Sequence, residues 1–137
     1  MKRKLWQVVG LLAALLAAST AVAQSKPSGI IADIPFAFTV ADHTLPPGRY
    51  TVTRLDEKIL RIFNSQNQGT AALNYQVEGK APDSSKMVFH RYGNAYFLSE
   101  VWVAGSRTGG KVLRSRSEAK WIGKRTEMEI AELQVPR

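Results

Sequence analysis

The stretch "KMVFHRYGNAYFLSEVWVAG", residues 86–105, decides the fold, because two runs of aromatic and branched residues meet at Gly93-Asn94. A Gly-Asn pair between such runs signals a tight two-residue hairpin turn. In that register Tyr92 faces Ala95, Arg91 faces Tyr96, His90 faces Phe97, Phe89 faces Leu98 and Val88 faces Ser99. Successive side chains of a strand point to opposite faces. Val88, His90, Tyr92, Phe97, Val101 and Val103 therefore share one face, and Met87, Phe89, Arg91, Tyr96, Leu98, Glu100 and Trp102 share the other. Neither face is polar, which predicts a hairpin covered on both sides at the centre of the protein.

The same two-residue beat extends outward. "IPFAFTVA" (34–41) puts Phe36, Phe38 and Val40 on one side, and "RYTVTRL" (49–55) does so with Tyr50 and Val52. In "TAALNYQVE" (70–78), Ala71, Leu73, Tyr75 and Val77 oppose Ala72, Asn74, Gln76 and Glu78. Each reads as a strand with an apolar side for the interior and a polar side for water. "KILRIFN" (58–64) is apolar on both faces apart from Arg61, as a central strand would be. In "LPPGRY", Pro47 and Gly48 suit the two central positions of a type II turn. Toward the C-terminus Ser115 precedes Glu118 by three, a capping-box spacing that predicts a helix over residues 115–122 with Gly123 as its stop. "TEMEIAELQV" (126–135) reads as a closing strand, although Ile122, Thr126, Ile130 and Leu133 would also line one side of a longer helix. Turn signals at this spacing predict an all-β protein, an antiparallel sandwich or small barrel of about seven to eight strands with one short helix near the C-terminus.

The N-terminus predicts export. Lys2, Arg3 and Lys4 precede an apolar run over residues 5–18, and Ala21-Val22-Ala23 supplies small residues for cleavage. These are the parts of a signal peptide over residues 1–23. The run is shorter than the roughly 20 residues of a spanning helix, so no transmembrane span is expected after cleavage. "QSKPSGII" (24–31) reads as a flexible leader and residues 32–137 as a single β-rich domain, periplasmic or extracellular. The absence of cysteine excludes a lipid-anchored cysteine, a disulfide framework, a thiol nucleophile and a thiolate metal site.

Charge points to a partner class. The formal charge is +8, of which the signal peptide carries three, so +5 remains. Arg107, Lys111, Arg114, Arg116, Lys120, Lys124 and Arg125 lie close in sequence with Glu118 as the one acid among them. Such a patch suits an anionic envelope component or an anionic partner protein; export removes nucleic acid from the expected partners. "GSRTGGKV" (105–112) has phosphate-loop spacing up to Lys111, but Val112 replaces the required Ser or Thr, and a Gly-rich hairpin turn accounts for it better. Asp33, Asp42 and His43 lack metal-ligand spacing toward His90, and Asp42 is expected to serve its own turn. No metal or cofactor is expected. An alternative pocket comprises His90, Arg91 and Glu100, with Ser99 near enough to hold a ring nitrogen of His90. In the two-residue register His90 and Glu100 point to opposite faces; a three-residue turn would bring them together.

"ADIPFAFTVADHTLPPGRYTV" (32–52), "MVFHRYGNAYFLSEVWVAG" (87–105) and "LRSRSE" (113–118) together resemble a family of small, uncharacterised exported bacterial proteins. The resemblance implies a single exported β-rich domain and no activity, cofactor or site. Two readings of function follow from the residues. The first is an exported non-catalytic β domain that binds a ligand or partner in the cell envelope or outside it. The alternative is a small hydrolase or isomerase using His90 with a nearby carboxylate.

Overall fold

A computed structural model describes residues 29–136, so the signal peptide expected over residues 1–23 lies outside the described residues. The described residues form ten strands and one helix: β1 (Gly29–Ile34), β2 (Phe38–Val40), β3 (His43–Leu45), β4 (Gly48–Arg54), β5 (Ile59–Phe63), β6 (Gly69–Glu78), β7 (Lys86–Tyr92), β8 (Ala95–Trp102), β9 (Thr108–Val112), α1 (Arg116–Gly123) and β10 (Met128–Gln134). The all-β architecture with one short C-terminal helix holds. Strands outnumber the expected seven or eight because Pro35 ends β1 and a two-residue turn at Ala41 and Asp42, both at positive φ, splits off β2 and β3. No helix among the described residues is long and apolar enough to cross a membrane.

The strands form one open sheet in the order β1-β4-β5-β6-β9-β8-β2-β3, with β7 added to β8 and β10 added to β7. Pairing is antiparallel except for a single parallel contact of Thr39 in β2 with Phe97 in β8. The sheet curls over one core. Ile30, Ile34, Tyr50, Val52 and Ile62 from the β1-β4-β5 end pack with Met87, Phe89, Leu98 and Val101 of the hairpin. Phe38 joins the two halves, its ring edge-on to Tyr50 at 5.2 Å and to Phe89 at 5.8 Å. β5 lies between β4 and β6, as its two-sided apolar pattern requires.

The β7-β8 hairpin turns at Gly93, φ +59, the left-handed first position of a two-residue turn. Its register matches the expectation from Tyr92↔Ala95 to Phe89↔Leu98 and then shifts: Val88 pairs with Glu100, not Ser99. Ser99 is the extra residue of a β-bulge, which the alternation of side chains does not reveal. The shift moves Glu100 to the face of His90 and Val88, and Val101, opposite Met87, into the core.

Four other expectations are corrected. Residues 29–31, expected in the flexible leader, belong to β1 and pair with Thr53, Val52 and Thr51. Gly48 is the first residue of β4 and is not at positive φ, so "LPPGRY" makes no type II turn; the Tyr50 hydroxyl instead donates to the Pro46 carbonyl at 2.7 Å. The helix runs through Gly123 and is capped by Lys124, and the left-handed residue that follows is Arg125, φ +56, not Gly123. β6 is inverted: Ala72 and Asn74 are buried, whereas Leu73 and Tyr75 are 56% and 46% exposed.

Gly109 and Gly110 lie within β9 and not in the Gly-rich hairpin turn expected there, and each clears space on one face of the sheet. A Cβ at Gly109 would sit 2.5 Å from the Trp102 ring, which covers that backbone while its Nε1 donates to Glu100 at 2.8 Å. Gly109→Ala should therefore lower unfolding free energy by about 1–3 kcal/mol in urea titrations. The Gly109→Ala/Trp102→Ala pair should cost less than the sum of the single changes, because both act on the same contact.

Candidate functional site

The helix supplies the central group. Ser115 caps it by accepting the Glu118 backbone N–H at 3.1 Å, as the capping-box spacing predicts. The Glu118 side chain turns away from the cap and into the hairpin. Its Oε1 lies 2.6 Å from His90 Nδ1 and accepts the Tyr92 hydroxyl at 3.0 Å. Side-chain exposure is 5% for Glu118 and 16% for His90, so the pair is largely dry. Two further contacts hold α1 in place. Trp121 stacks on Tyr92 with centroids 6.4 Å apart, and Asp42 at the β2-β3 turn accepts from the Ser117 N–H at 2.9 Å and hydroxyl at 2.8 Å. Asp42 thus serves the helix and not its own turn.

The electrostatics follow from burial and partners. Desolvation pushes the Glu118 carboxyl up, but hydrogen bonds from His90 and Tyr92, with the charges of His90 and Arg114, outweigh it and hold the group below its ordinary value. Burial pushes the Tyr92 hydroxyl up to about 12, and its bond to Glu118 adds to the shift. An ionised carboxylate accepts and does not donate, so the proton on His90 Nδ1 is fixed by Glu118. Nε2 is then the ring nitrogen left without a hydrogen bond among the described residues.

His90 opens onto a cleft of about 310 Å³ whose walls include Ser99, Tyr75, Lys111, Leu113 and Arg114, with Glu118 at its base. The inverted β6 brings Tyr75 to this face, beside Leu113 of the β9-α1 connection, which is also half exposed. Arg114 Nε lies 3.8 Å from Glu118 Oε2, and its side chain is otherwise exposed. Lys111 sits opposite Glu100 in the β8-β9 ladder but makes no ion pair among the described residues. Two cations therefore border a cleft whose one carboxylate is already engaged.

The expected site residues are thus divided. Of the seven basic residues, Lys111 and Arg114 reach the cleft. Arg116, Lys120, Lys124 and Arg125 lie along or just after α1, with Lys124 Nζ 5.2 Å over the Trp121 ring. Arg107 stands apart in the β8-β9 turn near Glu78 and Lys80. His90, Arg91 and Glu100 do not converge. Arg91 donates to the Gly93 carbonyl at 2.7 Å and approaches Glu129 at 3.8 Å, while Glu100 holds Trp102. The carboxylate that meets His90 is Glu118, twenty-eight positions away in sequence. Its one sequence signal was its solitude among seven cations. Asp33 is paired with Arg49, and His43 Nδ1 contacts the Ala41 carbonyl, so neither joins His90 in a metal cluster among the described residues.

No family model, curated protein or solved structure matches the chain.

Because Glu118 is held below its ordinary value of 4.5, its contribution to stability is complete above that pH and is lost as pH falls through the lower folded value. Glu118→Gln should destabilise the protein by about 1–3 kcal/mol at pH 7. The gap between variant and parent should narrow steadily as pH falls below 4.5 in urea unfolding measured across pH. A gap that stays constant down to pH 3 would show that the carboxylate's charge contributes nothing.

Proposed function

We propose that the protein is an exported, non-catalytic β domain that binds an acidic saccharide of the cell envelope or extracellular space in the cleft beside His90. The observation that carries this reading is the pairing of Lys111 and Arg114 with the exposed Tyr75 ring around a concave site. A uronate or sulfated sugar offers what such a wall takes: an anionic group for the cations and an apolar ring face for the tyrosine. A lipid surface would call for a flat or convex basic face, and here the cations border a hollow. The basic residues Lys2, Arg3 and Lys4, the apolar run after them and the cleavage-site pattern support export.

The test is binding of a tetragalacturonate, with its methyl ester as neutral control, by calorimetry. Lys111→Glu combined with Arg114→Gln should weaken binding at least tenfold. Arg116→Glu, Lys120→Glu and Lys124→Glu together should change it less than twofold at physiological salt. Unchanged affinity in the Lys111/Arg114 variant would end the proposal.

A second reading rests on one observation: Glu118 orients the His90 ring so that Nε2 is unpartnered while Ser99 lines the same cleft. That is the arrangement of a base held by a carboxylate, suited to a hydrolase or isomerase. Mass spectrometry of the saccharide after incubation separates the readings. A change of mass or linkage that disappears in His90→Gln would establish the catalytic one; an unaltered saccharide supports binding alone.

A further inference from the structure

On the inner face of the same strands lies a second cavity, of about 400 Å³, at the mouth of the curled sheet. Ile30, Val52, Leu60 and Val101 make its apolar walls, while Arg54 at the end of β4 and Gln76 of β6 bring polar groups to it. Arg54 forms no ion pair or hydrogen bond among the described residues. Next to it is an anomaly of packing. Asn74, only 4% exposed, buries both its Nδ2 and its Oδ1 without a partner. An unsatisfied buried amide costs about 1–3 kcal/mol per group, and nothing in a strand of this kind requires one.

Gly110 ties these features together. A Cβ built there would meet Asn74 Oδ1 at 3.1 Å, Leu60 Cδ1 at 3.3 Å and an Arg54 guanidinium nitrogen at 3.6 Å. The carboxamide and the guanidinium thus pack over Gly110 and leave no room for a side chain, and of the two it is the guanidinium that lines the cavity. Pockets that combine such walls with a few convergent polar groups are typical small-molecule sites at the mouths of β-structures.

We infer that this cavity is a binding site for a small amphipathic carboxylate, distinct from the cleft at His90, with Arg54 donating to the carboxylate and Ile30, Val52, Leu60 and Val101 enclosing the hydrocarbon. The charge of Arg54 selects the anion. The two sites lie on opposite faces of β6, since Gln76 of this cavity and Tyr75 of the cleft are adjacent residues of one strand.

The test is a calorimetric titration of the purified protein with octanoate and with octylammonium. Octanoate should bind at least tenfold more tightly. Arg54→Gln, at an exposed strand end, should abolish that preference without altering the urea midpoint. Asn74→Leu should raise the urea midpoint, by removing the unsatisfied amide, and leave octanoate binding within twofold. Lys111→Glu/Arg114→Gln should leave octanoate binding intact. Equal binding of the two ions, or octanoate affinity unchanged in Arg54→Gln, would overturn the inference.

Discussion

Burying the Glu118 carboxylate beside His90 is a demand that the rest of the outer layer is arranged to meet. Removing a charge from water costs several kcal/mol, and the carboxylate keeps its charge because His90 Nδ1 and the Tyr92 hydroxyl both donate to it. Those donors come from β7 and the acceptor from α1, so the interaction fastens the helix across the hairpin's outer face. Trp121 on Tyr92 and Asp42 on Ser117 then fix its orientation. Without the helix that face would present Tyr92 and Phe97 to solvent, although both are buried in the folded protein. Arg114 occupies the turn into α1, so its place at the cleft also depends on the anchored carboxylate.

β6 departs from the expected rule in one place with two consequences. Alternation predicts its two faces correctly but not which of them is inward. The chain buries Asn74 and exposes Leu73 and Tyr75, against what hydrophobicity alone would choose. The pairing with β5 and β9 accounts for the choice. Leu60 and Val112, both buried, sit opposite Ala72 and Asn74, so turning β6 over would break two ladders. A local conflict of this kind that persists in a folded chain marks positions with a role beyond packing. Here Tyr75, on the exposed side, lines the cleft at His90, while Asn74 packs unsatisfied against Gly110.

What could be read from the residues alone was local. Gly93-Asn94 lies within the hairpin it creates, and Ser115 lies one turn from the N–H it caps, so both were legible. The two-sided apolar run of β5 likewise announced its central place. The site was less legible because its contacts are distant. Glu118 had a sufficient local explanation as a capping residue, which concealed its meeting with His90 across the fold. The pair Gly109-Gly110 read as turn punctuation, yet each glycine is required by a side chain lying against it, Trp102 on one face and Asn74 on the other. Sequence spacing has no means of expressing what approaches a glycine from another strand.

The bulge at Ser99 shows how one inserted residue redistributes chemistry. With an unbroken ladder Glu100 would share the inner face with Met87 and Phe89, both fully buried, and a carboxylate there would have no solvent and no cation opposite it. The extra residue carries Glu100 to the outer face, where Trp102 Nε1 satisfies it and Lys111 stands across the ladder. The same step puts Val101 into the core and leaves the small Ser99 among the residues lining the cleft. A one-residue change of register reverses every side chain beyond it. Pairing Ser99 with Val88 in an unbroken ladder would instead send Glu100 inward and Val101 outward, losing the core contact and the cleft wall together. The bulge is therefore the feature that lets an apolar core and a polar cleft occupy the two faces of one strand.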